Sequence, residues 1–261
     1  GPPRPDVRVT IVGSGTAAPE PDRVCSGYFV EHAGTRVLLD CGPGVVHHLA
    51  RFGLPWPALD HVLITHFHND HLGDLPMLLF ALRWGVRRRR TAPLTLWAPD
   101  GIEGRLRSLA AGLGDHVREP GFPLEVRPLA PDDAVQLAPG LELRTMRTPH
   151  TDESLAFRIS AGCATVGYTG DTGPSDDVAR FLARSDLLIA ECSLPDDDAI
   201  PTHLSPTSLA GMARTAAPGR LVVTHVYPWL EAAAPLALIR AAGWDGDAVR
   251  AADGLSFDLR A

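Results

Sequence analysis

The segment HVLITHFHNDHLGD, residues 61–74, places three histidines and an aspartate within six consecutive positions. His66, His68, Asp70 and His71 follow a short apolar run that is typical of a buried strand. Their spacings of two, two and one do not share a helix face, where neighbours recur every three or four residues. The pattern therefore predicts a loop at the end of a strand, wrapped around a ligand.

The rest of the chain alternates runs rich in Val, Ile and Leu with amphipathic segments, which predicts strands and helices in succession. Both halves begin with strand-rich hairpins and continue with strand–helix units. This order predicts an α/β fold, a four-layer αββα sandwich of two mixed β-sheets with helices on the outer faces. No low-complexity linker separates the halves, so we expect one domain over residues 1–261.

Individual elements follow from the same patterns. Strands are predicted at 7–13, 27–33, 35–42, 61–65, 94–99, 124–130, 140–150, 154–160, 164–171, 186–192 and 220–225, and helices at 44–53, 74–85, 176–185, 205–216 and 234–243. Proline-rich segments at 118–123 and 131–140 are expected to be turns between strands. Gly1-Pro2 is typical of the scar left by a tag-cleaving protease.

Composition narrows the class of protein. With 45% apolar residues in 261, the chain can form a large core, and no apolar run approaches the length of about 18 residues that predicts a membrane span. The four cysteines lie far apart without a CxxC pair, so each is predicted to be a small buried residue in a cytoplasmic protein. The net charge of -7 disfavours a polyanion-binding surface, and the run Arg87 to Arg90 is predicted to be a solvated helix end.

Metal-binding side chains also follow strands of the second half, at His150, Asp171 and His225, and Glu191 ends another strand. Because sites assemble where strands end, we expect these side chains to meet the first cluster. Imidazole nitrogens and carboxylate oxygens suit zinc and similar divalent ions. The seven candidate ligands exceed one tetrahedral shell and predict two ions, with Asp171 between them and a water or hydroxide in the shared position.

Some of these residues have plainer interpretations. The segment TGDTG around Asp171 is also a favourable turn sequence. A glutamate at a strand end, such as Glu191, could cap or pair locally. The segment SPTS after His203 is typical of a helix N-terminus.

The motif THFHNDH resembles the HxHxDH signature of the metallo-β-lactamase superfamily. The likeness continues through VGSGTAAPEPDRVCSG, LLDCGPG, HTDESLAF, YTGDTG, ECSL, HLSP and THVYP, in an order similar to ribonuclease Z and its shorter phosphodiesterase-like relatives. The resemblance implies the metallo-β-lactamase fold and two zinc ions joined by Asp171. The implied ligands of one ion are His66, His68 and His150, and those of the other are Asp70, His71 and His225. Glu191 and His203 are implied to form a proton relay beside the leaving group, and Asp70 is counted with them as catalytic.

The resemblance has one departure that bears on the substrate. Ribonuclease Z enzymes commonly carry a protruding arm that grips tRNA, often inserted after the histidine that matches His150. Only twenty residues separate His150 from Asp171, which leaves no room for such an arm. A nucleic-acid substrate is therefore disfavoured but not excluded.

We expect a metal-dependent hydrolase, a dinuclear zinc phosphodiesterase that uses a metal-bridging hydroxide as its nucleophile. Manganese or another divalent ion could take the place of zinc, and the substrate is expected to be a small phosphodiester or similar ester. The alternatives are a tRNA 3′-end endonuclease of the ribonuclease Z type, a hydrolase of lactones, β-lactams or carboxyl esters, and a binding module without activity. The sequence allows a homodimer but does not require one.

Overall fold

A computed structural model describes residues 7–260 of the chain. Within that range two seven-stranded sheets pack face to face and helices cover their outer faces, which confirms the four-layer α/β sandwich. The expected tag scar at Gly1-Pro2 lies outside the described residues. The assignment of residues 1–261 to one domain stays a prediction.

The first sheet combines antiparallel and parallel strands. Its strands are β1 (Val7–Gly13), β2 (Gly27–His32), β3 (Thr35–Leu39), β4 (His61–Leu63), β5 (Leu94–Pro99), β6 (Leu124–Leu129) and β14 (Ser256–Leu259). Their spatial order is β14-β1-β2-β3-β4-β5-β6. The pairs from β14 to β3 are antiparallel and those from β3 to β6 are parallel.

The second sheet repeats this arrangement. Its strands are β7 (Ala134–Ala138), β8 (Leu141–Arg147), β9 (Leu155–Ala161), β10 (Ala164–Tyr168), β11 (Leu187–Glu191), β12 (Arg220–Thr224) and β13 (Ala248–Arg250). Their spatial order is β13-β12-β11-β10-β9-β8-β7. The pairs from β13 to β10 are parallel and those from β10 to β7 are antiparallel. In both sheets the parallel strands end at a common edge.

The helices close the two outer faces. They are α1 (Val45–Arg51), α2 (Asn69–Leu72), α3 (Leu75–Trp84), α4 (Ile102–Leu113), α5 (Asp176–Phe181), α6 (Pro206–Ala216), α7 (Pro228–Glu231) and α8 (Pro235–Ala241). One apolar cluster fills the space between the sheets, a second lies under α1, α3 and α4, and a third lies under α5, α6 and α8. Within residues 7–260, no helix combines the length and hydrophobicity that crossing a membrane requires.

The expected turn at 131–140 is wrong, because it contains β7. β7 is an edge strand that pairs only with β8 in the described chain. Pro131 and Pro139 flank the strand rather than interrupt it, and edge strands tolerate nearby proline. The segment at 118–123 is a turn, as expected.

The predicted elements omit α4, the longest helix of the described chain. Gly104 and Gly112 lower its helix propensity. Only Ile102 and Leu106 are fully buried, so its apolar stripe is too narrow to give a clear helical period. Its stability comes from packing against the sheet, which local sequence does not reveal.

Two predictions about single residue types need correction. Cys41 and Cys192 are buried as expected, but Cys163 is exposed in the turn between β9 and β10, and Cys25 is only partly buried. Arg90 does not share the solvated environment predicted for the arginine run. Its guanidinium is buried and donates to four backbone carbonyls, those of Pro57, Leu59, Ala92 and Pro93.

The last strand returns to the first. β14 pairs with β1, and Asp253, just before β14, accepts hydrogen bonds from Ser14 N at 2.9 Å, Ser14 Oγ at 2.7 Å and Val24 N at 2.8 Å. The Ser14 carbonyl in turn accepts from the His225 amide at 3.2 Å. The loop after β1 is therefore held by two residues that come much later in the chain, His225 and Asp253.

Candidate metal centre

The predicted ligands converge where the strands of both sheets end. His66 and His68 lie in the loop after β4, as the sequence predicts, but Asp70 and His71 lie in the single turn of α2. His150 follows β8, Asp171 follows β10 and His225 follows β12, while Glu191 is the last residue of β11; the remaining predicted residue, His203, lies between β11 and α6. The structure brings all of these side chains together.

A first group of donor atoms lies around His68. Its Nδ1 is 3.1 Å from Nε2 of His66 and 3.1 Å from Nε2 of His150. Asp171 Oδ2 lies 3.7 Å from the His66 nitrogen and 3.6 Å from the His150 nitrogen. Burial lowers the pKa of both His66 and His150, which favours the neutral imidazoles that metal binding requires.

A second group joins Asp70, His71 and His225. Nε2 of His225 lies 3.2 Å from Asp70 Oδ2 and 3.4 Å from Nε2 of His71. The His71 nitrogen is 3.8 Å from the same Asp70 oxygen. Three donor atoms from two sheets therefore face one point.

Asp171 lies between the groups. Beyond its contacts with the first group, Oδ2 is 3.3 Å from His71 Nε2, and Oδ1 is 3.6 Å from His225 Nε2. Burial raises the pKa of Asp171, but the charges of His225 and His71 outweigh burial and hold the pKa well below its usual range. Oδ1 is buried without a hydrogen-bond partner, an arrangement that costs free energy unless another group binds the oxygen.

These distances fit divalent ions. Zinc–nitrogen bonds of about 2.0–2.1 Å place tetrahedral ligand atoms about 3.3 Å apart. The separations within the two groups are 3.1 to 3.8 Å, and the donor atoms of each group lie within 4.8 Å of one another. The sulfur-free set of imidazoles and carboxylates suits zinc and similar ions. Oδ1 of Asp171, which is buried without a hydrogen-bond partner, could also coordinate a metal ion. The residues present therefore fit the metal that the sequence predicts.

Asp40, which the sequence analysis does not single out, supports this centre from inside. Its buried carboxylate accepts from His71 Nδ1 at 2.7 Å, from the Tyr168 hydroxyl at 2.7 Å and from the Thr65 hydroxyl at 2.9 Å. The Thr65 hydroxyl is also 3.0 Å from Nδ1 of His66. Asp40 therefore orients His71 directly and His66 through Thr65, which leaves Nε2 of both rings facing the centre.

Only a weak signal in the sequence could have identified Asp40. It follows the apolar run of β3 within LLDCGPG, where a carboxylate interrupts otherwise buried residues. Its backbone has a φ of 56°, a left-handed conformation that is uncommon outside glycine. Burial lowers the pKa of His71, but Asp171 and Asp40 together raise it well above its ordinary value.

Glu191 holds the corresponding position in the second sheet. Its fully buried carboxylate accepts from His203 Nδ1 at 2.8 Å and from the Ser193 hydroxyl at 2.7 Å. The Ser193 oxygen is 2.9 Å from Nδ1 of His225. Burial lowers the pKa of His203, but the hydrogen bond and charge of Glu191 raise it to about 9.

The structure also contains the two plainer features that the sequence suggested here, a local contact of Glu191 and a helix that begins at SPTS. Glu191 pairs locally with Ser193 while it holds His203. Ser205 is the N-cap of α6 and forms a capping box with Ser208, so SPTS does begin a helix. His203 lies just before that helix, and its ring centre is 4.7 Å from that of His150.

Comparisons of sequence and structure with known proteins agree on one superfamily. A model of the β-lactamase superfamily domain matches residues 35–226. The ribonuclease Z of Haloferax volcanii is 26% identical and covers 97% of this chain and 95% of the relative. That of Halorubrum lacusprofundi is 34% identical over 151 residues, 58% of this chain but only 46% of the relative. The crystal structure of the metallo-β-lactamase fold protein YhfI from Bacillus subtilis superposes with a TM-score of 0.83 at 25% identity, over 97% of this chain and 99% of YhfI.

Proposed function

Because the chain belongs to the metallo-β-lactamase superfamily, we propose that it is a phosphodiesterase that uses two divalent metal ions, with zinc the first choice. The broader class, a metal-dependent hydrolase, follows from the family match and from the histidine–aspartate groups. The observation that carries the finer proposal is Asp171, whose two oxygens face both groups of donor atoms and whose Oδ1 is buried without a partner.

The two groups define which residues would hold each ion. His66, His68 and His150 would hold one ion, and Asp70, His71 and His225 the other, with Asp171 shared between them. Bound there, such ions polarise the substrate's oxygen atoms and lower the pKa of a water molecule toward about 7. Asp40 and Ser193 keep the imidazoles in the orientation that binding requires.

His203 would supply the proton for the leaving oxygen. Nδ1 of its ring donates to Glu191, so a protonated ring has Nε2–H free to donate to the leaving group. The buried Glu191 carboxylate stabilises the charged imidazolium and fixes the ring plane. The proximity of His203 to His150 supports a position beside the reacting phosphorus.

A small phosphodiester is favoured over tRNA by the chain between His150 and Asp171. These residues form the β9–β10 hairpin, whose strands end at Ala161 and begin again at Ala164, so no tRNA-gripping arm is inserted there. The second candidate is a tRNA 3′-end endonuclease, because a relative named ribonuclease Z matches nearly the whole chain. An activity on lactones, β-lactams or carboxyl esters remains the third.

One comparison of substrates tests the proposal. The zinc-loaded protein would be assayed with bis(p-nitrophenyl) phosphate, a homoserine lactone, a β-lactam and a precursor tRNA, beside the Asp171→Asn variant. We expect turnover of the phosphodiester to exceed that of the other substrates and to disappear in the variant. Accurate tRNA 3′ cleavage at comparable kcat/KM, or a preference for a carbonyl substrate, would overturn it.

A further inference from the structure

Two aromatic rings stack immediately after the last predicted metal ligand. The ring centre of Tyr227 lies 6.0 Å from that of His225, at 83° to its plane. Trp229 stacks on Tyr227 with the ring centres 4.7 Å apart and the planes 26° apart. Tyr227 is the N-cap of α7 and Trp229 lies in its first turn, so His225, Tyr227 and Trp229 form a continuous row of rings.

This pair is held firmly in place. Val226 and Leu230, on either side of it in the sequence, are fully buried in the core under α6 and α8. The Tyr227 amide donates to the Ser193 carbonyl at 3.3 Å, next to the serine that contacts His225. At the end of α7, Glu231 forms a 2.6 Å ion pair with the partly buried Arg250. The two rings therefore project from a turn that buried neighbours, a backbone hydrogen bond and an ion pair anchor.

Stable packing does not explain why the indole is exposed. Trp229 is 53% exposed and lies one ring beyond Tyr227, which is itself only partly buried. A large exposed aromatic surface next to a polar site is typical of a position that binds another ring.

We propose that Tyr227 and Trp229 form a stacking subsite for a planar ring carried by the phosphodiester substrate, with a nucleobase as the ring of choice. This inference rests on the proposed phosphodiesterase function and adds a substrate class to it. Every nucleobase has a π-face, so an aromatic side chain can stack on any base without base-specific hydrogen bonds. The scissile phosphorus would lie at the metal centre and the base one sugar unit away, over the exposed indole.

The test compares two substrates that share a leaving group. Thymidine 5′-(p-nitrophenyl phosphate) carries a base, and methyl p-nitrophenyl phosphate does not. We expect the wild-type protein to prefer the thymidine diester. Trp229→Ala should lower the ratio of the two kcat/KM values by about 5- to 100-fold, as loss of one stacking ring does elsewhere, and Trp229→Phe should restore part of the ratio.

A matched control is available in Trp84, which is 63% exposed at the end of α3 and contacts none of the predicted ligands in the described chain. Trp84→Ala should leave both substrates and their ratio unchanged. A ratio that Trp229→Ala does not change, or that Trp84→Ala lowers equally, would overturn the subsite. A third diester could carry an aryl ring without a sugar. If its kcat/KM exceeds that of the methyl diester by as much as the thymidine diester does, the nucleobase is overturned as the specific ligand in favour of any planar group.

Binding separates this inference from the proposed function. Titration of the zinc-loaded protein with thymidine 5′-monophosphate and with methyl phosphate, followed by calorimetry, measures stacking without turnover. Tighter binding of the nucleotide that is lost in Trp229→Ala supports the subsite even if neither diester is hydrolysed, a result that would refute only the phosphodiesterase. Equal binding of the two ligands to the wild-type protein would refute the subsite alone.

Discussion

The two sheets support the candidate centre with the same device, a buried carboxylate at a strand end. In the first sheet Asp40 contacts His71 directly and His66 through the Thr65 hydroxyl. In the second sheet Glu191 contacts His203 directly and reaches His225 through Ser193.

The two sheets differ in the surroundings of the histidine that the carboxylate contacts directly, His71 in the first sheet and His203 in the second. Nε2 of His71 faces Asp70, Asp171 and His225 within a group of metal donors. His203 is partly exposed and lies outside the two predicted ligand groups, although its ring, Asp171 and His225 have donor atoms within 4.8 Å of one another and form a third possible group. One arrangement can therefore fix a ligand, while the other can hold a charged imidazole ready to donate a proton.

The largest effect is expected at Asp171, which lies between the two groups of donor atoms. Asp171→Asn keeps the shape of the side chain but removes the charge that faces both donor groups. Activity should fall by about 10³-fold or more, because several kcal/mol of charge stabilisation are lost. Elemental analysis should show loss of metal from both groups together. Normal metal content in the variant would show that Asp171 is not a shared ligand of the two donor groups.

The next largest effect is expected at His203. His203→Ala should keep both metals and lower kcat by about 10²- to 10⁴-fold, the usual contribution of a general acid. The loss should be large for an alkyl leaving group and small for p-nitrophenolate, which departs with little need of a proton. Equal losses on the two substrates, or loss of metal, would place His203 with the ligand supports of the first sheet.

Asp40→Asn tests the support of the first sheet. The amide cannot accept from His71, Thr65 and Tyr168 with the strength of a carboxylate. Metal affinity should fall by about 10- to 100-fold, as is usual when a partner of a ligating histidine is lost. Competition with a chromogenic chelator would measure both binding steps, and both should weaken because Asp40 reaches one ligand of each group.

Glu191→Gln tests the support of the second sheet and should have the smallest effect. Backbone amides of Thr172, Ser193 and Leu204 also donate to Glu191. A glutamine whose oxygen faces Ser193 and Leu204 keeps two of these three bonds and loses only that from Thr172, so most of the anchoring should survive the change. We expect kcat to fall by about 10-fold with metal affinity nearly unchanged, because the imidazolium loses its counter-charge. A loss of metal affinity as large as in Asp40→Asn would make the two supports equivalent and remove the distinction.

The parts of this centre that sequence predicts are those with a local pattern. His66 to His71 stand close together, and His150, Asp171 and His225 each follow a strand of regular apolar composition. Asp40 lacks such a pattern, because its role arises only when β3, α2 and β10 meet around one carboxylate.

The same reasoning applies to the fold. The buried strands were predictable because every residue along them contributes to a periodic or continuous apolar signal, as in β1 and β5. β7 and α4 were not, because an edge strand and a glycine-containing surface helix depend on neighbours that are distant in sequence. Pairing of β14 with β1 is equally a matter of tertiary structure.

That closing strand also orders events during synthesis. The motif from His66 to His71 leaves the ribosome before His225, which lies 154 residues beyond His71, and before Asp253, which holds the loop after β1 in place. A growing chain that has passed His71 but not yet reached His225 therefore carries an incomplete set of the predicted ligands. The full set of predicted ligands therefore comes together only once β12 and the residues after it have been made and have packed beside the first sheet.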